Sequence, residues 1–132
     1  MCRKEARAWG RSIRIVSKGV VVEGKLNDSK TASEIERLIP LVGRARTWVD
    51  EIYFSIPLDR EIENGKETVE KGDIDYWPPG RALCLFFGPT LMSAPGEIRP
   101  AGPVSVVGGM SGDLSALKNV KDGDEVKVEF AD

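Results

Sequence analysis

Residues 72–90 read GDIDYWPPGRALCLFFGPT, and this stretch decides the fold. In its second half Ala82, Leu83, Cys84, Leu85, Phe86 and Phe87 run apolar without a break. Successive strand side chains point to opposite faces, so such a run needs cover on both sides, or cover on one side and a ligand on the other. The first half alternates instead: Asp73, Asp75 and Trp77 share one face, Ile74 and Tyr76 the other. Pro78, Pro79 and Gly80 cannot continue a ladder and read as a turn. The stretch predicts a hairpin with an aromatic rim at its tip.

Working outward toward the N-terminus, residues 42–57 hold two more extended runs, with a break or bulge at Asp50-Glu51. Arg44, Arg46 and Trp48 share one parity before the break; Ile52, Phe54 and Ile56 share a face after it, with Tyr53 and Ser55 opposite. Residues 57–65 are charged loop ending in an Asn64-Gly65 turn, and 66–71 are an ambiguous short strand. Residues 31–39 carry Ala32, Ile35, Leu38 and Ile39 at helical spacing, Thr31 and Glu34 form a capping-box pattern, and Pro40 stops the helix. Ser12–Ser17 and Val20–Leu26 alternate around a Lys18-Gly19 turn and predict the first hairpin. Residues 19–25 match G-x-x-x-x-G-K, but Leu26 stands where a phosphate loop has Ser or Thr, and valines fill the loop. An ordinary strand is the better reading.

Toward the C-terminus, residues 91–103 carry three Pro and two Gly with no period. A structureless loop of that length is unusual in a compact domain and is often functional. Residues 104–107 predict a strand, Asp113 caps a short helix running to Leu117, and residues 124–130 alternate most cleanly, with Val126, Val128 and Phe130 inward. Seven or eight strands in a chain this short close their sheet or stack two, because open edges invite aggregation. The expectation is a closed, antiparallel, eight-stranded, mainly β barrel with two short helices, residues 31–39 covering one open end. Val22, Leu26, Ile35, Leu38, Phe54, Cys84, Phe86, Val106, Val126 and Val128 should be core.

With 132 residues, the chain is long enough for one core and too short for two. Residues 1–11 are expected to be a disordered leader and 12–132 the single domain. A net charge of −2 gives no general pull toward nucleic acid or a membrane surface. No apolar run approaches a bilayer span, and the basic start lacks the hydrophobic region of a secretory signal. Cys2 in the leader and Cys84 in a buried strand make a structural disulfide unexpected and the cytoplasm the expected location. His and Gln are absent altogether. That removes the commonest neutral-pH base and the commonest metal ligand; few amides beside many Lys, Arg and Glu also hint at a thermophilic source. No metal, no cofactor and no catalytic residue is expected.

Several local strings resemble cyclophilins. Lys30-Thr31-Ala32 is similar to the K-T-A-x-N-F opening of their first helix, Pro79-Gly80 running into 82–86 to the P-G-x-L-S-M-A-N strand, and Val106-Val107-Gly108-Gly109-Met110 to the F-G-x-V-x-x-G-M region. A closer resemblance is to a cyclophilin-like family of bacterial and archaeal proteins with no assigned reaction. Its T-A-x-x-L-x-x-x-L-P, W-x-D-E-x-Y-F and G-D-x-x-Y-W-P-P-G-x-A-L-C-L-F-F-G-P-T patterns correspond to 31–40, 48–54 and 72–90. The resemblance spans residues 12–130 and implies the cyclophilin barrel, with Leu85 and Phe87 facing the outer groove where cyclophilins bind proline peptides and Cys84 in the core.

The expected ligand site is Glu51, Tyr53, Trp77, Leu85 and Phe87 around one concavity bordered by 91–103. Tyr53, Tyr76 and Trp77 either line that groove or cap the barrel core. Glu51 is placed by the family pattern; an Asp50-Glu51 pair is otherwise solvated, paired with Arg44 or Arg46. Asp73 and Asp75 offer two carboxylates for a hard cation, but with no third ligand a wet strand face is the better reading. Gly108, Gly109 and Gly112 read as a turn rather than an anion site.

Three functions remain open: a binding module for a small molecule or short peptide, a prolyl isomerase, and a structural or protein-interaction role. The isomerase is expected to be poor or inactive. The Gln and His that surround the cyclophilin site are missing, and Phe86 aligns with its Asn.

Overall fold

A computed structural model describes residues 11–131. Nine strands form one sheet: β1 (Ser12–Ser17), β2 (Val20–Leu26), β3 (Leu41–Arg44), β4 (Arg46–Thr47), β5 (Glu51–Ser55), β6 (Asp73–Trp77), β7 (Ala82–Phe86), β8 (Ser105–Ser111) and β9 (Glu125–Phe130). Every ladder is antiparallel, in the order β3-β9-β1-β2-β8-β6-β7-β5-β4. The two edge strands are consecutive in sequence, separated only by Ala45. The sheet therefore curls until its two edges are one bent segment, and the eight strands expected become nine because that segment divides. Ala45 holds the junction by donating its N–H to the Asp124 carbonyl and accepting from Gly123, each at 2.8 Å. Thr47 adds two bonds to the Asp122 carboxylate through its N–H and hydroxyl, at 2.7 and 2.8 Å. No helix among the described residues is long and apolar enough to cross a membrane.

Inside the barrel, Ile13, Ile15, Val22, Leu26, Ile52, Phe54, Ile74, Tyr76, Leu83, Leu85, Val126 and Val128 form the principal core. The interior is walled by strands, so other elements reach it only through the ends. Helix α1 (Lys30–Leu38) enters with Ala32 and Ile35, followed by Ile39, and the 3-10 turn Ser115–Asn119 brings Leu117 between Leu114 and Val120. The helix cap differs from the expected capping box. Ser29 is the N-cap, its hydroxyl accepting from Ala32 N–H at 3.1 Å. Thr31 donates both N–H and hydroxyl to Glu63 instead, at 2.8 and 2.6 Å, and Glu34 pairs with Arg60.

A second, smaller apolar cluster lies outside the barrel. Ala82, Cys84 and Phe86 project from the outer face of β7 and are covered by Val69, Val104 and Ile98. Two isolated bridges, Lys66 to Val104 and Val69 to Ile98, pin the flanking loops over that face. The ambiguous segment 66–71 is thus a loop with two bridge points. Cys84 and Phe86 are buried as expected, but in this outer layer. Val106 is half-buried, not core: the β6–β8 register shifts between Ile74 and Asp75, and the extra residue sends Val107 inward in its place. Leu38 is also only partly buried. Of the expected leader only Arg11 is described, and its guanidinium lies over the Phe130 ring, 3.9 Å from the centroid; Cys2 lies outside the described residues.

Candidate functional site

Register decides which residues of β5, β7 and β6 share a face. Tyr53 pairs with Cys84 and Cys84 with Asp75, so these three form one row across the outer face. Glu51 stands opposite Phe86 in the next row, and Trp77 opposite Ala82 in the row beyond. The alternating rows, Phe54-Leu83-Tyr76 and Ile52-Leu85-Ile74, face the barrel interior.

On the outer face lies a cavity of about 160 Å3, walled by Trp48, Tyr53, Trp77, Pro100, Ala101 and Val104, with Glu51 and Cys84 also lining it. The aromatic walls come from three local devices. Trp48 and Glu51 close a tight turn between β4 and β5, exchanging N–H to carbonyl bonds of 2.9 and 3.2 Å. The expected break at Asp50-Glu51 is this turn, and Val49 within it has φ 56°, a conformation β-branched residues rarely adopt. The Trp77 ring rests on Gly80, where an added Cβ would come within 2.8 Å of it, and its indole nitrogen lies 3.5 Å from the Cβ position of Gly102. The long loop is held in shape by Ser93, whose hydroxyl accepts from the N–H groups of Thr90 and Arg99, both at 2.9 Å. That folding delivers Pro100 and Ala101 to the cavity.

Glu51 is 5% exposed. Burial raises its carboxyl pKa from 4.5 to about 7, opposed by hydrogen bonding with the Cys84 thiol. The thiol also lies 4.0 Å from the Ala82 carbonyl oxygen. Burial, and then the charges of Glu51 and Asp75, push the Cys84 pKa well up, so it stays a protonated thiol. Asp75 is fully buried at 0% exposure, and neither carboxyl oxygen has a hydrogen-bond partner. Its pKa is raised well above the ordinary value by burial first, then by Asp73 and Glu51. No Lys or Arg lines the cavity.

The structure brings together Glu51, Tyr53 and Trp77 of the five expected residues, beside the expected loop. It does not bring Leu85 and Phe87. Leu85 is in the barrel interior, and Phe87 is buried in the same core while bordering a separate depression of about 920 Å3 beside Asp50, Gly88, Lys71 and Asp113. The reason is parity: on β7 the outward residues are Ala82, Cys84 and Phe86. The resemblance to cyclophilin had implied the opposite assignment. Tyr76 belongs to the core, donating its hydroxyl to the Leu58 carbonyl at 2.6 Å. Glu51 is not paired with Arg44 or Arg46, and the Asp73-Asp75 face is not wet. Asp73 is half-buried and accepts from Glu70 N–H at 2.9 Å. Among the described residues no three His, Cys, Asp or Glu side chains are grouped to hold a metal. Trp48 and Val104 were missed, and Asp75, read as part of a wet strand face, is buried. Parity alone put Asp75 on the Cys84 face; only the covering loops show that this face is dry.

The Cyclophilin-like family matches residues 11–129, nearly the whole described chain. The chain belongs to the cyclophilin-like family. A solved structure with the same cyclophilin-like barrel is that of a hypothetical protein, AF2241, from Archaeoglobus fulgidus. The two share 38% sequence identity over 95% of this chain and 98% of that one, with a TM-score of 0.78. No curated protein matches the chain.

Proposed function

We propose that this cyclophilin-like protein is a binding module whose outer cavity takes a small molecule or a single side chain of a short peptide. The observation that carries this is the cavity of about 160 Å3 between Trp48, Tyr53 and Trp77, with the Glu51 carboxyl in its lining. Natural sites combine apolar and aromatic walls with a few placed polar groups. The volume suits one ring or one branched head group, since an engineered cavity of about 150 Å3 accepts benzene.

The test is an NMR screen of fragments and short peptides read at the indole N–H signals. Ligands of the module shift the Trp48 and Trp77 resonances together and raise the melting temperature, and Trp77→Ala abolishes both effects. A screen whose hits all leave these two signals unmoved would defeat the proposal.

A second reading is prolyl isomerisation, favoured by one feature. Arg44 and Arg46 line a groove that adjoins the cavity and shares Tyr53 and Trp77 with it. An isomerase lowers a barrier of about 18–20 kcal/mol by favouring the twisted amide, and an Arg donor beside an apolar floor contributes to that. With no Gln or His in the chain, activity is expected to be far below that of a cyclophilin. A protease-coupled assay on Ala-Pro peptides decides it. Turnover within about tenfold of a cyclophilin control, lost in Arg44→Ala or Arg46→Ala, would promote the enzyme.

A further inference from the structure

Two buried carboxyl groups, Glu51 at 5% exposure and Asp75 at 0%, lie on one face of the sheet with no cationic side chain lining the cavity beside them. Two other part-buried carboxylates do have cations beside them: Glu63 lies 3.8 Å from Arg60, and Glu97 is 2.9 Å from Arg99. Asp75 has neither a cation nor a hydrogen-bond donor on either oxygen. A buried carboxyl without a partner is costly and is retained where it serves a site.

Around the same cavity stand three aromatic rings. The faces of Trp and Tyr carry negative electrostatic potential and attract organic cations, most strongly where water is excluded. Aromatic walls and unpaired acids are separate features, and both favour positive charge. From this we infer that the cavity recognises a small alkylammonium ion, its charged head between Trp48, Tyr53 and Trp77 and its counter-charge supplied by Glu51, with Asp75 behind.

Other cations fit less well. A metal ion needs several oxygen or nitrogen ligands, and no such group of three is present among the described residues. A guanidinium brings five N–H donors that need acceptors, and the cavity offers mainly ring faces beside one carboxylate. Methyl groups on nitrogen need no acceptors and match apolar walls. The titratable groups lining the cavity are Glu51 and Tyr53 on β5 and Cys84 on β7; Asp75 on β6 lies beside Cys84 in the same row without reaching the cavity, and Asp73 follows along β6. At the pH where Glu51 is ionised the site is anionic. Uptake of the cation favours the deprotonated carboxyl, so binding strengthens as pH rises through about 7.

This inference rests on the proposed cavity and narrows its ligand. The experiment compares choline and tetramethylammonium with 3,3-dimethylbutan-1-ol, the neutral carbon analogue of choline, by NMR titration of the full chain. At about pH 8 choline should shift the Trp48 and Trp77 indole signals and bind at least about tenfold more tightly than the neutral analogue. The preference should shrink by a similar factor at about pH 5.5, where Glu51 is protonated. Glu51→Gln should remove the preference while keeping the wild-type spectrum, and Glu51→Ala should remove it as well, giving a second variant should one fail to fold. If the alcohol binds at the same rings as tightly as choline, or Glu51→Gln leaves the preference intact, the cation reading is overturned while the binding module stands. If choline does not bind, the inference also fails, whatever the wider screen returns.

Discussion

Glu51 is an acid held where its charge is disfavoured. Its proton binds more tightly in the folded chain than in the unfolded one between about pH 4.5 and about 7. Folding stability from this group therefore falls as pH rises through that window and is level above it. A gap of that size corresponds to about 3 kcal/mol. Asp73 and Asp75 are shifted in the same direction and add to the slope. Glu51→Gln, which keeps shape and removes the charge, should raise stability at about pH 8 by up to about 3 kcal/mol and flatten much of the pH dependence. Urea denaturation of both proteins at a series of pH values measures this; superimposable pH profiles would contradict it. A protein stabilised by removing a charge at its own cavity is one in which that charge serves something other than stability.

At the scale of the element, α1 is too short to stand alone and is held by tertiary partners. The Glu63 carboxylate accepts from the N–H groups of Lys30 and Thr31 and from the Thr31 hydroxyl, at 3.1, 2.8 and 2.6 Å. These are the first-turn donors that a helix leaves unpaired, so an acid from a loop far along the chain does the work of a local cap. The Thr31 hydroxyl bond is the largest of the effects lowering the Glu63 pKa. Its contribution is full above the ordinary carboxyl range and is lost as pH falls through the folded-state value. Glu63→Ala should cost about 1–2 kcal/mol at neutral pH and less in acid. Thermal unfolding at the two pH values, with amide exchange at Ala32 and Ile35, distinguishes this from a simple surface change. The helix itself was legible from its apolar stripe, but its cap was not. Thr31 and Glu34 carry a capping-box spacing, yet Ser29 and Glu63 hold the end, because Arg60 draws Glu34 away.

For the whole molecule, closure depends on the bent stretch from β3 to β4. Leu41, Gly43 and Ala45 alternate inward along the segment that serves both edges of the sheet, and Phe54 packs over the middle one. A Cβ at Gly43 would sit 2.8 Å from the Phe54 ring, and Phe54 is 1% exposed with no room to retreat. A Gly→Ala change at ordinary φ is normally worth about 0.4–1 kcal/mol in stability through the unfolded chain. Gly43→Ala should instead destabilise by about 1–3 kcal/mol, because overpacking outweighs that gain. Equilibrium denaturation gives the sign directly, and a stabilised variant would mean that β3 and β5 do not meet there.

The sequence by itself determined the antiparallel barrel, most of its strand limits and the alternation that makes Val22, Phe54, Val126 and Val128 core. Those properties follow from side-chain period and turn chemistry, which are local. It also brought Glu51, Tyr53 and Trp77 under consideration together. Which face of β7 looks inward was left to the tertiary structure, because 82–87 is apolar on both faces and parity alone cannot orient it. Two buried layers exist, one inside the barrel and one beneath the loops, and each takes half of that run. The same loops bury Asp75 and deliver Pro100 and Ala101 to the cavity. Their path depends on bridges between residues distant in sequence, and no local pattern encodes such contacts.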